Sequence, residues 1–500
     1  VTTLKSGTSE EPVIGENYLL LINYLLFSNM KKLFLTSVLL VIFLSGNLLL
    51  KAEVRLPAIL GSHMVLQQKS EVDLWGWCAP SEKINIKASW DTARYVTTGT
   101  SGARWSTKIR TPEAGGPYTI TINKVVLEDV MAGEVWVCGG QSNMEWSGDQ
   151  KLKQSLEEAP NARNEKIRFF YVPKNTSEYP QDDVKASWKV CTPEEMIHFS
   201  ALGYFFGKKL QGDLNMPVGL INSNWGGTPA EVWTPKEMIE NDPVLKDASL
   251  KLKPSAGWPI VPGSSYAAMI APLTKFRIAG VIWYQGESNT QNYTTYSRLM
   301  TRLIGGWRDA WGYTFPFYYV QIAPFSGYGN YNVGALLREQ QTACLSISRT
   351  GMAVIHDLVD DVTNIHPGKK AEVAERLARL ALADSYGVGG IVYKYPMYRG
   401  VVIEKNRIRI LFDNVSNGLM ATAKDLNEFY IAGADKKFLF ASAKIEGNTV
   451  VVWNKAIKEP VAVRFGFSNN GIPNLFNKEG MPVNLFRTDN WEVRTDAIVK

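Results

Sequence analysis

Val135-Trp136-Val137-Cys138-Gly139-Gly140-Gln141-Ser142-Asn143-Met144 decides how this 500-residue chain is read. Four apolar residues form a short buried strand. Gly139 and Gly140 follow, directly before the serine, where the backbone turns sharply and tolerates little side-chain bulk. A strand that ends in Gly-Gly and then a hydroxyl puts Ser142 on the rim of a sheet, where ligands of open α/β sheets bind. Serine is equally at home in a turn or at a helix cap. Its meaning here depends on what else reaches the same rim.

Downstream, apolar strand-like runs alternate with helical patterns, as in a parallel sheet covered by helices. Val218–Ile221 leads to Asn222-Ser223-Asn224-Trp225-Gly226-Gly227-Thr228, and Ile278–Trp283 to Tyr284-Gln285-Gly286-Glu287-Ser288-Asn289. Phe317–Ile322 and Met352–Ile355 follow, the latter leading to Asp360-Asp361-Val362-Thr363-Asn364-Ile365-His366-Pro367. Helices are expected at about 201–211, with Ser200 as cap, at 296–307, at 333–345 and at 368–385. In the last, Val373, Leu377 and Leu380 share a face, and Glu372–Arg376 and Glu375–Arg379 are i,i+4 pairs in the favourable order. Four of the five runs end in Gly, Asn, Gln, Ser, Asp or His. Idle loops have no reason to gather such groups at one end of a sheet.

The flanks read differently. Residues 53–125 alternate apolar with polar residues, as in Val72–Trp77 and Lys83–Ala88, and suggest a β-sandwich-like module. Residues 389–500 return to β, with a hairpin pattern around 404–407 and another around 446–448. The central α/β domain then spans 126–388. At the start, Met30-Lys31-Lys32 and the apolar run 33–50 read as a secretory signal peptide over 30–52, with 1–29 an upstream mis-start. That predicts a periplasmic or secreted protein with no membrane attachment after processing.

Composition narrows the function classes. Apolar residues make up 45% and charged residues 20%, values of a soluble globular protein. The net charge of +6 comes without a long basic run, which gives no ground for nucleic-acid binding. Fifteen Trp and 21 Tyr suit stacking on sugar rings as well as ordinary cores. Cys78, Cys138, Cys191 and Cys344 are scattered, with no metal-ligand spacing. Neither their disulfide state nor the oligomeric state follows from sequence.

A serine needs a positioned base, and the chain has four histidines. His63 lies in the N-terminal β region. His198 directly precedes a helix start and reads as a capping or surface residue. His356 continues an apolar strand and reads as a hydrogen-bonded core residue. His366 sits on the same rim as Ser142, held by Pro367 and a helix, and is the candidate base. Asp361, ahead of Asp360 because it is nearer, is the candidate to orient it; Asn364 or a carbonyl are alternatives. Oxyanion donors are expected from the Ser142 N–H, from Gly226 or Gly227, and from the amide of Gln285 or Asn289.

Gly-Gln-Ser-Asn-Met, Asn-Trp-Gly-Gly-Thr, Trp-Tyr-Gln-Gly-Glu-Ser-Asn and Asn-Ile-His-Pro, in that order, resemble the motif blocks of bacterial sialate O-acetylesterases. These are SGNH-type hydrolases with a flavodoxin-like parallel sheet. The likeness runs from Met64–Gln68 to Phe486–Trp491. It implies Ser142 as nucleophile and His366 as base, with the Gly-Gly and Gln285–Asn289 blocks, Glu287 included, beside the scissile ester. Two departures stand out. Thr363 and Asn364 occupy positions where relatives carry an aspartate ahead of the histidine, and Ala267-Ala268 stands where asparagine is usual.

The resulting expectation is an exported esterase that removes O-acetyl groups from sialic acids, without metal or organic cofactor. An acetyl-xylan or other glycan esterase on the same scaffold is the alternative, and a non-catalytic glycan-binding protein is the alternative of another class. A sialic acid carboxylate calls for a forked cation, and Arg338, on the helix after the fourth run, is the candidate.

Overall fold

The computed structural model describes residues 15–45, 53–493 and 498–499. Residues 1–53 form one compact unit and 54–500 another. In the first, a single helix covers Gly15–Ser45. Among the described residues no helix is long and apolar enough to cross a membrane. The expected cleavage point at Lys51-Ala52 lies outside the described residues.

The second unit is built on a central sheet. Its strands are β1 (Val125–Gly140), β2 (Asn164–Tyr171), β3 (Trp188–Cys191), β4 (Val218–Asn224), β5 (Gly280–Tyr284), β6 (Phe317–Val320) and β7 (Thr350–Ala353). Their order is β7-β6-β5-β1-β4-β2-β3. All neighbours are parallel except the edge pair β2–β3. This is the flavodoxin-like α/β sheet anticipated above. Both faces are covered. Trp136 and Cys138 pack with Leu202, Phe206 and Leu377 on one side, and Val135 and Val137 with Leu303, Trp307 and Leu337 on the other. Double coverage is why these strands read as unbroken apolar runs.

The covering helices are α1 (Ala201–Leu214), α2 (Tyr296–Trp311), α3 (Val333–Ala343) and α4 (Lys370–Leu380). Ser200 caps α1 by accepting the Gly203 N–H at 3.0 Å. In α4 the Glu375–Arg379 pair forms at 2.7 Å. The Glu372–Arg376 pair does not. Arg376 reaches instead to the Asp357 carboxylate with both terminal nitrogens, at 2.7 and 2.6 Å, and Glu372 accepts from Gln154. A carboxylate held by both terminal nitrogens of the guanidinium is a better partner than a single contact one turn away.

The N-terminal β strands are joined to this sheet rather than set apart from it. β1 is sixteen residues long. Its first half pairs antiparallel with Gly115–Ile122, and Met131–Gly133 pair parallel with Val65–Gln67. Its second half lies between β4 and β5. The strand bends at Asp129, whose φ is 52° and whose carboxylate holds Arg168 at 2.9 Å and His63 at 2.7 Å. The C-terminal region carries a four-stranded antiparallel sheet, with Met397–Glu404 and Arg407–Asp413 as its hairpin, and has its own core around Ile408, Ile410, Phe429 and Val450. All four cysteines are buried free thiols.

Candidate active site

β1 is flanked by β4 on one side and β5 on the other, although both come later in the chain. The strand order reverses at that point, and its carboxyl end is where ligands of such sheets bind. Gly140 is level with Asn224 and with Tyr284, so three loops open there together. Gly140 has φ +136°, and a Cβ on it would lie 2.2 Å from the Tyr284 carbonyl oxygen. Only glycine fits. The close approach lets the Gln141 N–H donate to that carbonyl at 3.0 Å, and Ser142 then opens a one-turn helix, Ser142–Glu145.

His366 Nε2 lies 2.9 Å from Ser142 Oγ. The loop after β7 carries the histidine back across the carboxyl edge to reach it. Its imidazole stacks on Trp146, centroids 4.2 Å apart at 24°. Burial, helped by the Lys370 charge, pushes its pKa down to about 4. The ring is therefore neutral near pH 7, the state a general base requires.

The expected orienting acid is not beside it. Asp361 Oδ1 accepts from the Thr363 hydroxyl at 2.6 Å and the Thr363 N–H at 2.8 Å, in a local turn on the surface. Asp360 pairs with Lys369, and the Asn364 side chain accepts the His366 backbone N–H at 2.9 Å. Among the described residues no carboxylate hydrogen-bonds to His366. A short Asp-x-Thr segment satisfies itself locally before it can reach a ring.

The two glycines of the second block differ. The Gly226 N–H is taken by Glu145 Oε2, and Glu145 Oε1 holds Lys174 at 2.6 Å. Gly227, with φ +80°, lies against Trp258, an indole 40% exposed at the mouth. Among the described residues neither the Ser142 nor the Gly227 N–H donates to a protein acceptor.

The third block is a fastening rather than a set of ester contacts. Gln285 is fully buried; its amide donates to Asn289 at 2.7 Å and to the Thr228 carbonyl at 3.3 Å, and accepts from Tyr296. Asn289 donates to the buried Glu231 and accepts the Ala230 N–H. Ser288 donates to the Gly227 carbonyl at 2.8 Å. The expectation of a Gln285 or Asn289 oxyanion amide therefore fails: both amides are spent on each other and on Thr228, Ala230 and Glu231, the segment just after the Gly-Gly turn. Glu287 is also buried, bonded to Asn143 at 2.6 Å, and burial raises its pKa.

Arg338 is likewise not a substrate group. It is 1% exposed and donates to the carbonyls of Gly334 and Ser468, tying α3 to the C-terminal region. His63 pairs with Asp129, and His198 is exposed beside Asp149. His356 is buried as expected, but among the described residues its Nε2 has no hydrogen-bond partner, and burial pushes its pKa down to about 4. Sequence reasoning missed Asn143, Trp146, Trp258 and Lys370. Asn143 lies inside the serine block and was the one most open to notice. Among the described residues no group of His, Cys, Asp or Glu could hold a metal ion.

Residues 132–383 match the family model of carbohydrate esterases described as sialic acid-specific acetylesterase. The sialate O-acetylesterase of Homo sapiens is 30% identical over 384 residues, covering 69% of this chain and 73% of that one. The chain belongs to the sialic acid-specific acetylesterase family. Within this family, the sialate O-acetylesterase of Mus musculus is 28% identical over 448 residues, covering 77% of this chain and 81% of its own. The solved structure of a carbohydrate acetylesterase from Xanthomonas citri superposes with a TM-score of 0.80 at 34% identity, covering 88% of this chain and all of that one. Membership makes the chain a carboxylic-ester hydrolase, a sialate O-acetylesterase-like carbohydrate esterase.

Proposed function

We propose that this acetylesterase-family chain is an exported enzyme that removes O-acetyl groups from sialic acids through an acyl-serine intermediate. The supporting observation is the 2.9 Å contact between His366 Nε2 and Ser142 Oγ at the sheet's switch point. His366 takes the hydroxyl proton as Ser142 attacks the acetyl carbonyl, and returns it to the departing sugar oxygen. Water then repeats the sequence on the acyl-enzyme. The N–H groups of Ser142 and Gly227 are assigned to the oxyanion. Export rests on the signal-like segment from Met30 and is checked by the N-terminal sequence of the mature protein.

A second substrate reading, an acetylated neutral glycan such as xylan, is favoured by the burial of Arg338. The mouth offers the ring of Trp258, while the nearby Lys174 is paired with Glu145. Hydrolysis of an O-acetylated sialic acid, an acetylated xylo-oligosaccharide and a simple aryl acetate tests both. Ser142→Ala and His366→Ala should each lose most activity, and the double variant little more, because the two act as a unit. An inert, well-folded wild type would leave only a glycan-binding role.

A further inference from the structure

Asn143 directly follows the serine and is fully buried. Each polar group of its amide is engaged. Nδ2 donates to the Ile365 carbonyl, immediately before His366, at 3.0 Å, and to Glu287 Oε1 at 2.6 Å. Oδ1 accepts from Lys370 Nζ at 2.6 Å. One side chain thus joins three segments: the serine turn, the loop after β5, and the base loop where it enters α4. Lys370 and Glu287 are both buried, yet they form no direct ion pair among the described residues; the amide stands between them. Lys370 also lies over the Tyr284 ring at 5.3 Å.

We propose that Asn143 is a positioning residue for the base: its amide clamps the Ile365 carbonyl, and with it His366, to the serine turn, and bridges the buried Lys370 and Glu287 side chains into the same mount. This rests on the Ser142–His366 reading above. Ordinarily an acid on the far imidazole nitrogen does two things: it fixes the ring and it balances the imidazolium that forms. Here the two tasks are divided. The ring is fixed through the backbone carbonyl beside it and the Trp146 stack. Its neutral state follows from burial and from the Lys370 charge, whose ammonium the amide oxygen holds.

Other titratable groups on the segments that meet at His366 are committed elsewhere. Glu145 is paired with Lys174 and Gly226, Asp360 with Lys369, and Asp361 with Thr363. Lys370 is left to act on the ring, its charge adding to burial in lowering the His366 pKa. Burying an ammonium is costly unless it is compensated, and Asn143 offers its oxygen to that ammonium while both of its N–H bonds are used.

The test measures kcat, KM and the pH profile on an aryl acetate, with thermal unfolding of every variant. Ser142→Ala controls for the underlying reading: if it retains activity, that reading fails whatever Asn143 does. Asn143→Ala is expected to lower kcat by roughly 10- to 100-fold, as misplacement of a catalytic group does, with KM within about twofold. Asn143→Asp/Glu287→Gln keeps the shape and an acceptor for Lys370 and avoids two facing carboxylates, but has no donor for the Ile365 carbonyl. It should not rescue kcat. Lys370→Met should move the acid limb of kcat/KM to higher pH, because it removes the cation that helps lower the His366 pKa. A kcat within twofold of wild type in either folded Asn143 variant overturns the proposal. If neither folds, Lys370→Met decides: an unmoved acid limb overturns the proposal, and a shift to higher pH supports it.

Discussion

His366 lies flat on the indole of Trp146, four residues beyond the serine whose proton it would take. The serine turn therefore carries both the proposed nucleophile and a wall for its proposed base. Ring stacking of this kind contributes about 0.5–1.5 kcal/mol beyond burial. Trp146→Leu should accordingly lower kcat on an aryl acetate by about 2- to 10-fold and leave KM nearly unchanged. A KM effect alone would mean that Trp146 touches substrate rather than base.

The acid limb of the pH profile should be displaced. His366 has its pKa pushed down to about 4 by burial and by the Lys370 charge. The base works when neutral, so kcat/KM should hold below the pH of about 6.5 at which a free imidazole charges, and fall as pH drops through about 4. An acid limb near 6.5 in wild type would contradict this environment. The same sign applies to stability: the unfolded chain binds protons on His366 that the folded chain does not, so stability falls as pH falls from about 6.5 towards 4.

Asp361→Asn and Asp360→Asn should each retain activity within about twofold of wild type, since their carboxylates face Thr363 and Lys369. Steady-state rates on the aryl acetate settle it. A loss of 100-fold or more in either would place that acid on His366 during turnover, as in a three-member unit.

Arg338→Ala should act on the fold and not on substrate choice. Its guanidinium is buried and bonded to two carbonyls, so truncation leaves those acceptors unpaired and a cavity behind. A loss of roughly 2–4 kcal/mol follows from both effects. Denaturant unfolding reads it, and kcat/KM for acidic and neutral acetylated sugars should change by the same factor.

Much of this molecule could be read before it was seen. Period and chemistry agree along β1, β4 and β5, where strands buried on both faces leave an unmistakable apolar run and glycines mark the close approach of backbone to backbone. The placement of His366 beside Ser142 was legible by elimination, because four histidines leave few choices. Roles that depend on where a side chain points were not legible. Gln285 and Asn289 carry the chemistry of an oxyanion donor but turn inward to bond each other and Glu231. Arg338 sits on an expected helix, yet its rotation on that helix faces the C-terminal region. Asp361 is near His366 in sequence and is held away by a turn two residues long. Asn143 was overlooked because its three partners come from segments far apart in the chain.

β1 has a consequence for how this protein can be dissected. A chain beginning at Val126, the start of the α/β domain expected from sequence, would retain the serine and everything that surrounds it. It would also strip Val126–Gly133 of the neighbours on which that half of the strand hydrogen-bonds. The result would be a ribbon with bare amides and the apolar side chains of Leu127, Val130 and Met131 uncovered, the kind of edge that recruits strands from other molecules. Such a truncation is expected to come out as insoluble aggregate, whereas the catalytic rim itself would have lost nothing. The N-terminal β region thus serves the esterase as a sheath for one strand, and a fragment chosen for activity must keep it.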